Sequence, residues 1–281
     1  MNRRRRRSMV NLISGGWPNY GSLVAAHLLF GLLPRPAYCQ IQDNSFLVEE
    51  AYNQERGVVQ HISTFERADG GSWAYGFTQE WPLGGLRHQL SYTVPVEQNE
   101  DLGAGLGDLA LNYRYQLAGD PQARTVAAPR LSLLLPTGNQ EQGRGAGGVG
   151  IQLNVPLTLV LGRDWVTHWN GGVTLTPSAR NALGNEATTH EFNVGASVVW
   201  LLRPELNFLL ESVWNEDRSV VGEGRVARQT EWVLNPGLRG ALNLGDLQVV
   251  PGASYIVGLG EGADENGVFV YLSLEHPFKG Q

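Results

Sequence analysis

The sequence predicts an all-β fold, a single antiparallel transmembrane β-barrel of about twelve strands with short periplasmic turns and longer outward loops. Three observations carry this expectation. From Val58 onward apolar residues alternate with period two, in stretches of about ten to thirteen residues separated by Gly-, Asn-, Asp- and Pro-rich breaks, which is the pattern of strands with two unlike faces. Strand length then separates a barrel from a sandwich. At about 3.3 Å per residue and a tilt near 40°, eleven residues rise roughly 28 Å, close to the ~25 Å apolar band of an outer-membrane barrel, whereas sandwich strands are about half as long. Finally, the connections alternate between tight and long, as they do when one barrel end faces the periplasm and the other faces outward.

Taken in chain order, residues 1–39 read as an export signal. Arg3 to Arg7 form a positive start, Ser22 to Leu33 a short apolar run, Pro34 its break, and Ala37-Tyr38-Cys39 a small-residue cleavage pattern with the cut before Gln40. Residues 1–39 hold six of the 21 basic residues and no acidic one, so the remaining chain carries 15 basic against 27 acidic residues, a formal net charge of −12. A nucleic-acid partner is disfavoured, because such binding rests on neutralising phosphates. Cys39 is the single cysteine, so thiol catalysis, a structural zinc site and a disulfide framework are not expected downstream. With 42% hydrophobic and 17% charged residues and 36 Gly, the chain is neither disordered nor a coiled coil. No apolar run reaches the roughly 18 residues of a spanning helix. Residues 40–57 form an N-terminal periplasmic segment or a short plug helix, since Asn44-Ser45 offers a cap and Glu49-Glu50 acids in the first turn.

The barrel then occupies 58–278, with strands starting near Val58, Ser72, Leu86, Gly105, Thr125, Val149, Trp165, Thr189, Leu206, Arg228, Leu247 and Gly267, followed by a 279–281 tail. In Leu106 to Leu117, for example, Leu109, Leu111, Tyr113 and Tyr115 oppose Ala110, Asn112, Arg114 and Gln116. The periplasmic turns are expected at 82–85, 118–124, 162–164, 203–205 and 243–246, and the outward loops at 97–104, 137–148, 177–188, 215–227 and 260–266. Trp81, Trp165, Trp200 and Phe278 would mark the periplasmic rim, and Trp73, Trp214 and Trp232 the outer one, as interfacial aromatics do.

If the apolar face meets lipid, the polar face lines the lumen. Candidate lumen-lining or constriction residues are Glu80, Arg87, Arg114, Arg239 and Glu275 in the periplasmic half, Arg130 and Glu211 near mid-height, and Glu191 and Glu231 toward the outside. They form either a charged constriction that selects permeants or an internal salt-bridge network filling a narrow barrel. Other constellations point elsewhere. Gly143, Gly145 and Gly148 match G-x-G-x-x-G, but a strand pattern follows where a dinucleotide site requires a helix, so they read as a flexible loop. Asp264-Glu265-Asn266-Gly267 lacks the spaced ligands of a calcium loop. His61, His88, His168, His190 and His276 show no metal-like pairing and read as structural or interfacial. No catalytic residue, metal or cofactor is assigned.

The segments FLVEEAYNQERGVVQHI (46–62), WAYGFTQEWPL (73–83), GLGDLALNYRYQL (105–117) and PRLSLLLPTGN (129–139) resemble the outer-membrane family labelled "MetA-pathway of phenol degradation". The resemblance runs from Phe46 to Phe278 and implies an outer-membrane β-barrel, transporter-like, for aromatic or other hydrophobic compounds. It carries over no catalytic residue. Lys279-Gly280-Gln281 depart from the terminal aromatic usual in such proteins. The expected function is therefore a non-enzymatic outer-membrane channel for passive passage of small organic molecules. Its expected partners are outer-membrane lipid, those permeants, and the barrel-assembly machinery through the C-terminal strand. The alternatives are a barrel enzyme acting on lipid, with His88 and Ser212 outward, and a structural or adhesin barrel.

Overall fold

The computed structural model describes residues 41, 43–99, 103–260 and 266–278. The export segment read at 1–39, the middle of the 97–104 connection, most of the 260–266 connection and the 279–281 tail lie outside these described residues. Twelve strands form the wall: β1 (Val58–Ala68), β2 (Trp73–Pro82), β3 (His88–Asn99), β4 (Gly103–Leu106 and Leu109–Tyr115), β5 (Thr125–Ala127 and Arg130–Leu135), β6 (Gly150–Asn154 and Leu157–Val160), β7 (Trp165–Arg180), β8 (Glu186–Arg203), β9 (Leu206–Gly222), β10 (Arg225–Gly240, continued by Leu242–Leu244), β11 (Leu247–Leu259) and β12 (Gly267–Pro277). Each pairs antiparallel with the next, and β12 returns to β1 in register from Val58↔Pro277 to Ala68↔Gly267. The sheet is thus closed and has no free edge, which is the condition for strands to stand in hydrocarbon. A short 3-10 turn spans Gln140–Gln142.

The strands begin within three residues of the positions read from the periodicity. The two interruptions of β5 and β6 fall beside Pro129 and Pro156, which cannot donate to the ladder; their carbonyls still accept, from Tyr115 N (3.0 Å) and Ala128 N (3.2 Å). The outer face follows the alternation. Leu111, Leu131, Leu133, Ile151, Leu153, Val194 and Leu210 are exposed, while the intervening Asn112, Ser132, Asn154 and Ser197 are buried. At the turn end Trp165 and Trp200 stack with ring centroids 5.6 Å apart, and nearer the other end Trp214 and Trp232 face each other across β9 and β10.

Two expectations require correction. β7 to β10 have 16 to 18 residues each, not ten to thirteen. The loops expected at 177–188 and 215–227 are accordingly short turns at 181–185 and Glu223-Gly224, with Gly224 at φ 62. Beyond the apolar band both strand faces are polar, so period two disappears from the sequence while the ladder continues. The lumen, moreover, is not polar throughout. Val199, Leu209, Val213, Val233, Val250, Ile256, Phe269 and Tyr271 are buried on the inner side and pack with Phe46 and Val48, so the inner face of this arc mixes apolar residues with buried Asn207, Glu211, Asn235 and Arg239. In Leu206–Trp214 apolar Leu209 and Val213 alternate with polar Asn207 and Glu211 on the buried inner face, so the run carries no continuous apolar signature.

Between β5 and β6 the glycine-rich connection is pinned by Asp108, which accepts from Gly138 N (2.9 Å) and Ala146 N (2.7 Å). A Cβ at Gly145, which has φ 80, would strike the same carboxylate. The strand β6 follows, so the connection is a folded loop and not a phosphate cradle.

Candidate functional site

Residues 43–57 form neither the short helix read from their capping pattern nor any strand. They lie inside the barrel. A buried backbone without secondary structure must find other partners for its N–H and C=O groups, and here inward side chains of the wall supply them, strand after strand. The Arg239 guanidinium donates to the carbonyls of Ile41 (3.1 Å), Asp43 and Asn44. Asp43 in turn accepts from Tyr271 and from Gln60 (3.0 Å). Glu211 Oε1 accepts three successive amides, Phe46, Leu47 and Val48, at 3.0, 3.0 and 2.9 Å, while Oε2 takes Asn235 at 2.7 Å. A carboxylate in a nest of converging N–H groups is a strong anchor.

Further along, Asn170 treats Glu49 as a neighbouring strand would: its Oδ1 accepts Glu49 N (2.7 Å) and its Nδ2 donates to Glu49 O (2.9 Å). Gln116 makes the same reciprocal pattern with Asn53 N (3.2 Å) and Ala51 O (3.0 Å). Ala51 N reaches Thr158 Oγ1 at 2.9 Å, Arg114 holds Tyr52 O at 3.1 Å, and Gln54 N reaches Gln89 at 2.7 Å. The side chain of Glu49 lies between two guanidiniums, with Arg114 at 3.1 Å and Arg130 in a fork through Nε (3.0 and 3.1 Å) and Nη2. Burial acts to raise the Glu49 carboxyl, and the Arg130 and Arg114 charges outweigh it, holding the pKa down to about 2.

Small residues in the wall make room for the segment. Phe46 lies 5.7 Å from Phe269 and 5.8 Å from Tyr271, ring centroid to ring centroid. A Cβ at Gly237 or Gly252 would run into its ring, and one at Gly195 would come 3.0 Å from Val48 Cγ2. Cavities of about 300 and 390 Å³ lie beside the segment, and both are bounded by Leu47, Glu49, Arg130 and Gln152.

Of the nine charged residues read as lumen candidates, Arg114, Arg130, Arg239 and Glu211 hold the segment directly. Arg130 and Glu211, both read near mid-height, engage different parts of the segment: Arg130 binds the Glu49 side chain and Glu211 the amides of Phe46, Leu47 and Val48. Glu275 approaches Gln54 (3.5 Å), and Glu80 binds Gln89 (2.6 Å), so both back the segment's later part. Glu191 and Glu231 line the larger cavity. Arg87 does not face the lumen: it is exposed in the turn before β3. The reading missed Glu49, Asn170, Gln116 and the apolar residues of the inner arc. Glycines in strand interiors, at 195, 237 and 252, were the available signal, since they mark close approach by another group.

The five histidines read as structural or interfacial make side-chain contacts within the wall. His61 and His276 stack 5.2 Å apart on the outer face, His88 meets Tyr113 at 2.7 Å, His190 meets Arg218 at 2.5 Å, and His168 is buried against Thr158 at 2.8 Å. Ser212 accepts from Trp232 (2.8 Å) on β9, so neither member of the lipid-enzyme pair His88 and Ser212 is engaged with the other.

Solved structures share this architecture. An outer membrane channel from Pseudomonas putida F1 is similar at TM-score 0.55 and 14% identity, covering 81% of this chain and 98% of its own. The NanC porin is similar at TM-score 0.52 and 8% identity, covering 79% and 99%, and the KdgM porin at 0.51 and 8%, covering 78% and 99%. At such identities the likeness concerns the fold. None of the curated proteins matches the sequence. The family model described as "Putative MetA-pathway of phenol degradation" matches residues 41–246, a span that takes in the inward segment and the wall residues that hold most of it, and the chain belongs to that family.

Proposed function

We propose that the protein is a non-enzymatic outer-membrane channel for passive passage of small organic molecules, closed at rest by residues 43–57. The observation that carries this reading is the way the segment is held: wall side chains bind its backbone, no ladder does, and cavities of about 300 and 390 Å³ lie beside it. A barrel built only for structure has no need of a lumen with solute-sized spaces and a separately docked closing segment. The turn end faces the periplasm and the end with the extended β7–β10 hairpins faces outward. Residues 1–39 direct export, the outer face contacts lipid, and the C-terminal strand presents the chain to the assembly machinery. The test is conductance in planar bilayers. The wild type is expected to show small or intermittent openings, and Glu49→Ala, which takes the counter-charge from Arg114 and Arg130, is expected to show larger ones. Absence of conductance in both proteins, each correctly folded, refutes the channel reading.

A further inference from the structure

The larger cavity has a chemical bias. Its floor is a row of inward residues in direct register across six neighbouring strands. Arg130 faces Asn154, Asn154 faces Gly172, Gly172 faces Asn193, Asn193 faces Asn215, and Asn215 faces Glu231. Gly172 interrupts the polar row, and the space left by its missing side chain is taken up by the amides of its neighbours. A Cβ there would come 3.0 Å from Asn154 Oδ1 and would also strike Asn193 Oδ1, so two amide oxygens converge over the glycine. Asn154 is 3% exposed, and its Oδ1 accepts no hydrogen bond from the protein. An orphaned buried acceptor costs about 1–3 kcal/mol and calls for a donor from outside the chain.

Above the row, Glu191 and Asp217 line the same cavity, as do Glu66 and Glu231. Arg130 is the single cationic lining residue, and its guanidinium is already engaged by Glu49. Val213 and Val233, one step along β9 and β10 from Asn215 and Glu231 on the same inner face, and Ile256 of β11 add an apolar patch next to the polar row. The cavity therefore offers acceptors and negative charge beside a hydrocarbon patch, in about 390 Å³, within the size range of small-molecule sites.

We propose that this cavity binds organic cations, in particular a protonated primary amine on a single-ring or short aliphatic body. The ammonium sits among Asn154 Oδ1, Asn193 Oδ1 and the Glu191 and Asp217 carboxylates, and the body packs on Val213, Val233 and Ile256. Carboxylate-bearing analogues are rejected, because the same groups repel them and strip their hydration without replacing it. This names the solute class for the proposed channel, but the binding itself does not depend on passage.

The test is calorimetric titration of the full chain, folded in detergent and in mildly alkaline buffer, with benzylammonium, benzyl alcohol and benzoate. Benzylammonium is expected to bind about tenfold or more tightly than benzyl alcohol, with benzoate weakest. Glu191→Gln with Asp217→Asn is expected to weaken benzylammonium by about tenfold or more, on the scale of losing hydrogen bonds to charged groups. Equal or tighter binding of benzoate or benzyl alcohol overturns the proposal, as does unchanged affinity in a double variant that still forms a barrel. Should that variant not fold, the wild-type ranking of the three probes decides alone. Bilayer measurements separate this inference from the channel reading. Amine binding with no conductance removes the channel and leaves the site, whereas conductance with no amine preference removes the site and leaves the channel.

Discussion

Glu211 illustrates how single residues of the wall do the work of a strand. Its three amide partners are consecutive, so one carboxylate satisfies a stretch of backbone that would otherwise be buried without partners, and hydrogen bonds to a charged group contribute about 1.5–3 kcal/mol each. At Phe46 the ring occupies space that exists only because residues 237 and 252 lack side chains. Gly252→Val is therefore expected to expel Phe46 and release the segment's first part, seen as protease cleavage near residues 44–50 in a barrel that stays folded. Phe46→Ala added to Gly252→Val should restore much of the protection, because the clash is gone. Lack of rescue would show that Gly252 serves the strand and not the segment. At this scale the sequence was half legible. Periodicity assigned Arg114, Arg130, Glu211 and Arg239 to the inner face, because face is a local property. It did not reveal their partners, which lie far along the chain: Val48 and Glu211 are separated by 163 residues. Glu49 looked like a helix-start acid for the same reason, since its guanidinium partners are invisible locally.

Among elements, the contrast between β4–β6 and β7–β10 follows from what each strand meets outside. On β8–β10 the exposed aromatic positions end at Phe192 and Trp232, with the half-buried Trp214 beside Trp232. Beyond them the outer face carries Glu216 paired with Arg218 (2.9 Å) and Arg228 (2.8 Å). An ion-pair cluster on the outward face does not belong in hydrocarbon, so these hairpins project past the aromatic girdle into water. Two exposed apolar residues should then respond differently to a charge. Leu133→Arg, on β5 within the apolar band, is expected to cost about 2–4 kcal/mol in folding into bilayers, while Val226→Arg, above the girdle on β10, costs about 0–1. Denaturant titration of the two variants in lipid vesicles measures the difference, and equal costs would place the lipid boundary above residue 226. Strand number and start were legible because the membrane enforces two unlike faces along some ten residues. The hairpin extensions were not, because water on both sides erases the contrast that makes a strand readable.

For the molecule as a whole, wall and segment are held by different kinds of bond, and that difference carries the proposed gating. The wall is a closed ladder in which no strand can leave without breaking two seams. The segment has no seam, only side-chain contacts to most of the strands it passes, and freeing it returns about 1–2 kcal/mol of backbone entropy per residue, which offsets much of what those contacts supply. Its far end continues into β1 after Gly57, at φ 83, so a released segment stays tethered at the mouth and redocks at high effective concentration. A reversible covalent lock tests this directly. Val48 Cγ2 lies 3.0 Å from the position a Cβ would take at Gly195, so Val48→Cys with Gly195→Cys, in a Cys39→Ser background, places two thiols within reach of a disulfide. The oxidised protein is expected to conduct several-fold less than the same protein after reduction, in one bilayer, with the reductant added during recording. If conductance is the same before and after reduction, solutes pass beside a fixed segment, and the charged groups that hold it line the pore without gating it.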